Sequence, residues 1–343
     1  MTTWRWAVVQ FTRVDVRGGW RAFSGGALMF VLLLSFQTTL AIQTGAAESS
    51  APREALVPSQ KADTLNIVDL ATNKVSANIS IGGGPVGIAI SPDRKFAYIT
   101  TPETKEFLVV NLDLRVVVKE IPAGLGPVGI AVNPKSGHVY IADWHNHVVI
   151  AYDGKTYLRS AQVEVGDSPS GLAVSPDGTL LLSADRESDQ VTVIDTKTFT
   201  ELGTVPVGKR PFGVTISPDG ARAYVANVKS NDVSVIDLES GKVVGTVPVG
   251  RRPYAIAVLG NQAFVTDQYA STVSVIDTVK LKVVKTIDVG AFPEGITADP
   301  VSGKVYVACW EENTLERIDA KTLEVDATIP MADGPRAFGN FLR

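Results

Sequence analysis

The chain has a single cysteine, Cys309, in 343 residues. No intrachain disulfide can form, so the fold must rest on packing alone. Histidine is almost as scarce, with three in the chain, which limits both metal-ligand and acid–base constellations. No Cys-x-x-Cys-His segment is present for covalent haem, and no Gly-x-Ser-x-Gly elbow for a hydrolase nucleophile. Gly82-Gly83-Gly84 precedes no helical pattern, so it is not a phosphate-cradling loop. Apolar spacing of 3.6 residues is missing throughout, which excludes helical repeats.

What remains is a repeat of short β-type runs. The stretch GKRPFGVTISPDGARAYVANVKSNDVSVIDLESGKVVGTVPVG, residues 208–250, divides into apolar runs at 212–217, 223–226, 233–237 and 243–249, rich in Val, Ile, Thr and Tyr. Between them lie turns such as Ser217-Pro218-Asp219-Gly220, in which Pro presets φ and Gly accepts a positive one. The link proline recurs at Pro85, Pro127, Pro169, Pro211, Pro253, Pro293 and Pro335. The steps are 42 residues except for one of 40, where Leu259-Gly260-Asn261 replaces the longer turn. A small four-stranded sheet cannot bury both faces alone and must stack on copies of itself. A period of this length with four strands per unit predicts an all-β, seven-bladed β-propeller.

The ends of the repeat predict how the ring closes. Ala55-Leu56-Val57 aligns with Ala223-Tyr224-Val225, and Asn66-Ile67-Val68-Asp69 with Ser234-Val235-Ile236-Asp237, at an offset of 168 residues, four full repeats. The N-terminal part therefore supplies strands two to four of a blade, and residues 337–342 its innermost strand. Sharing that blade fastens the ring and removes open sheet edges. Residues 54–343 are expected to form one domain.

The segments Tyr224-Val225-Ala226-Asn227 and Val233-Ser234-Val235-Ile236-Asp237 resemble the YVTN-type repeat of YncE-like propellers. The pattern returns at 140–143 with 148–153 and at 264–267 with 273–277. The resemblance implies a seven-bladed ring in an exported bacterial or archaeal protein. It does not imply an activity, because propellers host binding, scaffolding and catalysis alike.

Residues 1–53 read separately. Arg5, Arg13, Arg17 and Arg21 precede an apolar run at 27–42, and Gly45-Ala46-Ala47 follows as a small-residue cleavage site. This is the layout of a secretory signal peptide over 1–47, with 48–53 as linker. The protein is then expected to be periplasmic or secreted, without stable membrane insertion after cleavage, and monomeric. The processed chain would carry 28 basic and 35 acidic residues, a balance that disfavours general nucleic-acid affinity.

In a propeller, the links and the loops between strands two and three share one face, where function concentrates. The residue after each link proline should stand at the channel mouth; these are Val86, Val128, Ser170, Phe212, Tyr254, Glu294 and Arg336. The strongest constellation on that face is Lys209-Arg210-Pro211-Phe212 with Arg251-Arg252-Pro253-Tyr254, beside Arg186. Cations next to two rings suit an anion with a planar group, because arginine offers paired bonds to carboxylate or phosphate and the rings offer stacking surfaces. Solvated charges over packed aromatics are the structural alternative. Trp144 and Trp310, the only tryptophans after residue 47, add candidate contacts on the rim. Glu294 and Arg336 are expected to pair at the mouth.

Three further features receive structural or weaker readings. His145 and His147, two apart in extended backbone, would point one way as a metal site wants, but no third ligand is assigned. Cys309 has no histidine partner at a recognisable spacing. Asp69, Asp153, Asp195, Asp237, Asp277 and Asp319, with Asn111, occupy one position in every blade, which fits a turn cap rather than a catalytic group.

Propellers of the lactonase or lyase type use carboxylates and Asn, or His with Glu, around the mouth; Asp143, Asp185, Asn227 and Asp267 would be the matching set. The reading favoured by the sequence is a binding or scaffold propeller, with no cofactor, whose loop face takes an anionic small molecule or a protein partner. The alternatives are a propeller enzyme, a metal-dependent accessory to a periplasmic dehydrogenase, or a binder of single-stranded nucleic acid.

Overall fold

A computed structural model describes residues 54–343; residues 1–53, expected from the sequence to be a signal peptide and linker, lie outside the described residues. Five four-stranded antiparallel sheets, a five-stranded sheet in which the C-terminal Phe338–Gly339 joins the four strands of blade one, and a three-stranded sheet at residues 54–80 form the seven blades of the ring. Blade four comprises strands Pro211–Ile216, Arg222–Asn227, Asp232–Asp237 and Lys242–Pro248, close to the runs expected from the sequence. Strands one to three of every blade are largely buried, whereas the outer strand alternates, as Lys74–Ser80 does. That is the pattern of a sheet whose outer edge alone faces water.

The core lies between blades. Tyr224, Val233, Val235 and Val247 of blade four pack on Ile256, Ala263, Val265 and Ile276 of blade five. Burying a Val or Ile side chain stabilises by roughly 1.5–3 kcal/mol, and each blade repeats such contacts on both faces.

Closure follows the expectation with one change. Residues 54–59 bond the C-terminal segment through Leu56 N–H to Phe341 O (2.8 Å), Arg343 N–H to Glu54 O (2.8 Å) and Arg336 N–H to Pro58 O (2.7 Å). The closing segment is not one regular strand over 337–342. Only Phe338–Gly339 is a strand, and it pairs in parallel with Gly87 and Ile88 of blade one. Residues on either side of it meet the first strand through isolated bridges at Ala55–Leu342 and Ser59–Pro335. Gly339 at φ 129° lets the segment turn between its two neighbours.

Every complete innermost strand with a link proline shows a bulge after that proline, as between Pro211 and Val214. The bulge aims the next side chain at the channel mouth. A glycine usually follows, for a steric reason. A Cβ on Gly129 would stand 1.8 Å from the Ser170 carbonyl oxygen, and one on Gly213 2.4 Å from that of Tyr254. The innermost strands therefore approach one another backbone to backbone around the axis.

Candidate functional site

The loop face is built on polar clamps copied around the ring. Strand two ends in Asp143, Asp185, Asn227, Asp267 or Cys309, all fully buried. Asp143 accepts from the Leu125 and Gly126 amides, each at 3.0 Å, and Asp185 from Gly166 N–H at 3.0 Å. In blade six the acid has moved one strand over: Cys309 stands on strand two, and Glu316 on strand three receives the Gly290 amide at 3.1 Å. These groups hold the links of their own blades and do not converge on the axis.

A second clamp lies four residues further along. Asp63, His147, Asp189, Asn231 and Asn313 all adopt left-handed backbone, φ 54–60°. Each side chain accepts the N–H of the residue before a link proline: Gly84 (2.9 Å), Ser168 (3.1 Å), Arg210 (2.8 Å), Arg252 (2.9 Å) and Gly334 (2.8 Å). His147 is thus the imidazole member of an Asp/Asn series. This corrects the metal geometry expected for His145 and His147. The backbone there is a tight turn rather than extended, His147 Nδ1 is occupied by the Ser168 amide, and the His145 ring packs over Gly126. Among the described residues no three His, Cys, Asp or Glu side chains gather as a metal site would require.

At the mouth the residues after the link prolines do meet. Phe212 and Tyr254 stack on each other, centroids 4.1 Å apart, and both touch Phe338, at 4.9 and 5.9 Å. Phe338 comes from the closing blade, so three rings from blades four, five and seven close the axis at this end. Beneath them a small cavity of about 60 Å³ remains, lined by Ile130, Leu172, Val214, Ile256 and Ile296. Phe212 and Tyr254 are 4–5 % exposed, so their faces serve each other rather than a ligand ring.

Glu294 and Arg336 pair as expected, Nε to Oε2 at 2.6 Å. Gln268 donates to Glu294 Oε1 at 2.5 Å, and Arg336 reaches the Tyr254 hydroxyl at 2.5 Å. Burial raises the Glu294 carboxyl above the usual range, with Arg336 opposing the shift. Burial likewise pushes the Tyr254 phenol up to about 12.

Arg186, in a short 3-10 turn after strand two of blade three, lies over both Trp144 and Phe212, 5.7 Å from each centroid. Its side chain is 16 % exposed, and its nearest carboxylate is its chain neighbour Glu187 at 3.5 Å. Burial pulls its guanidinium below the ordinary value. Lys209 pairs with Asp189 at 2.7 Å, and Arg210 with the same Glu187 at 3.2 Å. Among the described residues Arg251 and Arg252 form no ion pair; Arg252 lies 4.8 Å over the Tyr269 ring. From there a rim of rings continues through Phe292 to Trp310, which Lys61 covers at 3.9 Å.

The family model "Lactonase, 7-bladed beta-propeller" matches residues 50–259, and "YNCE-like beta-propeller" matches residues 218–304. The chain belongs to the YncE-like, lactonase-type seven-bladed β-propellers. No curated protein matches it. Among solved structures, hydrazine synthase of Kuenenia stuttgartiensis is 21% identical with a TM-score of 0.68, covering 74% of this chain and 89% of that one. A functionally unknown protein of Desulfotomaculum acetoxidans is 18% identical with a TM-score of 0.71, covering 84% of this chain and 100% of that one. The dihydro-heme d1 dehydrogenase NirN, in complex with DHE, is 16% identical with a TM-score of 0.61, covering 84% and 75%. At these identities the likeness is one of fold.

In this YncE-like ring, Cys309 is fully buried, and burial holds its thiol far above the ordinary value, so it is a packing residue. Trp144 packs on the mouth cluster, and Trp310 belongs to the separate rim. Phe338, Gln268, Glu187 and Asp189 are parts of the loop face that sequence reasoning missed. The link clamp was detectable, since its residues recur with the same 42- and 40-residue steps as the prolines.

Proposed function

We propose that this is an exported binding propeller whose loop face takes an anionic ligand, either a small carboxylate or phosphate or the acidic segment of a partner chain. The observation that carries the reading is Arg186. A guanidinium largely removed from water and flanked by two rings is costly unless its donors find an acceptor. Its neighbour Glu187 is shared with Arg210, so Arg186 has donors to spare. Arg251 and Arg252 stand nearby with no acid of their own, which extends the positive surface along the next link.

Hydrolysis of a lactone, which the family name brings to mind, is less well supported. The Asp and Asn groups that it would draw on are bonded inside their own blades, and three aromatic rings fill the axis. Nucleic acid is disfavoured by Glu187, Asp189, Glu311 and Glu312 on the same face.

Trp144 provides the test, because Arg186 lies on its ring. Tryptophan emission is followed while inorganic phosphate, citrate and an oligoglutamate peptide are added in turn. A saturable change that weakens with salt and disappears in Arg186→Gln is expected for at least one of them. The double variant Arg210→Ala with Arg251→Ala should weaken it without lowering Tm. No response to any of the three anions would remove the proposal.

A further inference from the structure

The opposite face carries a groove that the loop-face reading does not use. It lies between blades four, five and six, with a volume of about 800 Å³, and is lined by Pro218, Asp219, Arg222, Leu259, Val279 and Pro300, among others. Its origin is the short repeat. Leu259 pairs directly with Gln262, leaving a two-residue turn with Gly260 at φ 56°, whereas six residues separate the paired Ile216 and Ala223 of blade four.

Other blade boundaries show what the missing turn would have done. Between blades two and three, Asn133 Nδ2 donates to Gly178 O at 2.9 Å, and Thr196 Oγ1 donates to the same carbonyl at 2.6 Å. Between blades three and four, a Cβ on Gly220 would lie 3.7 Å from Pro176. At blade five nothing comes within 4 Å of a Cβ on Gly260. The groove is the space that a longer turn, Pro-Asp-Gly in blades three and four, fills at those boundaries.

We propose that a second copy of this chain fills it, giving a two-fold dimer in place of the monomer expected from the sequence. The chain carries the complementary shape beside the groove itself: the turn at Pro218 and Asp219 is exposed. A two-fold axis requires that each copy give what it receives. Inserting one copy's Pro218-Asp219 turn beside the other's Gly260 places the two long turns side by side, each against the partner's short turn. Charge agrees with shape. Asp219 is exposed, with Oδ1 accepting from Ser217 and Ala221, and Arg222 lines the groove, where its Nη1 donates to Thr278 O at 2.7 Å. Each Asp219 would therefore face the partner's Arg222. Val279 and Val301, 69% and 50% exposed, flank the groove, with Val284 at 47% on the adjoining outer strand. Covering them in a dimer removes apolar surface from water.

The test is sedimentation of the protein, purified as the cell makes it, from micromolar to submillimolar concentration. A reversible monomer–dimer equilibrium is expected. Asp219→Arg and Val279→Asp should each weaken it by roughly tenfold or more, with Tm of the monomer retained. The exchange Asp219→Arg with Arg222→Asp should recover association that Asp219→Arg alone loses. A protein that stays monomeric throughout overturns the inference, as does a dimer indifferent to both Asp219→Arg and Val279→Asp. Neither result bears on anion binding at the loop face.

Discussion

The link clamps and the channel mouth lie a few residues apart on every blade, yet they follow opposite rules. At the clamps, chemistry is copied: five blades present an oxygen or imidazole nitrogen to the same amide, and the hairpin cap at Asp237 recurs at Asp69, Asp153 and Asp319. At the mouth, Val86 and Val128 match, but Ser170, Phe212, Tyr254, Glu294 and Arg336 differ from blade to blade. A backbone group that recurs needs the same partner each time. Side chains at the mouth answer to one another across the axis, and their differences build one asymmetric surface from a symmetric ring. The same contrast separates stability from function, so it can be tested by substitution.

The largest effect is expected where the mouth itself becomes structural. Arg336→Ala leaves Glu294, 4% exposed, without its cation and the Tyr254 hydroxyl without a partner. Breaking a buried pair on one side costs about 3–5 kcal/mol, read as a fall in the urea midpoint. Burial already raises the Glu294 carboxyl, and removing Arg336 raises it further. A raised folded-state value makes the stability present at low pH and lost as pH rises. The defect should therefore be larger at pH 8 than at pH 5, and Glu294→Gln added to Arg336→Ala should recover part of it. A defect equal at both pH values would place the loss in packing instead.

An intermediate effect, of opposite sign, is expected at a clamp. Burial pushes the Asp267 carboxyl up to about 6, against bonds from Ser274, Thr272 and Gly250 that lower it. The unfolded chain ionises near 4, so the native state loses stability as pH rises from about 4 through about 6. Blade four shows the remedy, since Asn227 holds the same position and donates to Ser234 and Asp232. Asp267→Asn should raise stability at pH 7.5 by about 2 kcal/mol and flatten the profile between pH 4 and 6. An unchanged profile would show that another group carries the pH dependence.

The ring, its period, its closure and the Glu294–Arg336 pair were legible because each is a sequence-local or strictly periodic signal. The aromatic plug was only half legible. Phe212 and Tyr254 were placed at the mouth by register, but their mutual stacking depends on Phe338, which arrives from the other end of the chain. The basic cluster reads in the sequence as cations beside two rings, with no sign of their partners, whereas the loop of blade three brings Glu187 and Asp189 onto two of them. Which charges neutralise one another is decided by loop geometry between neighbouring blades, and a turn carries no period from which to read it.

The smallest effect separates the two rules most sharply, because it falls on a residue that composition singles out and position does not. His147 accepts the Ser168 amide at 3.1 Å through Nδ1, which requires an unprotonated nitrogen on that side and the ring proton on Nε2. Asp167 Oδ1 lies 3.6 Å from the same nitrogen. If His147 is a clamp, His147→Ala should cost about 1 kcal/mol, a shift of a few degrees or less in Tm for a chain of this size. His147→Asn should restore the loss, because Asn231 and Asn313 do the same work in their own blades. A histidine retained for ligand chemistry would behave otherwise: asparagine would rescue stability no better than alanine. Rescue by asparagine would assign one of the chain's few histidines to the copied class and leave the uncopied residues Arg186 and Arg251 as the place to look for a ligand.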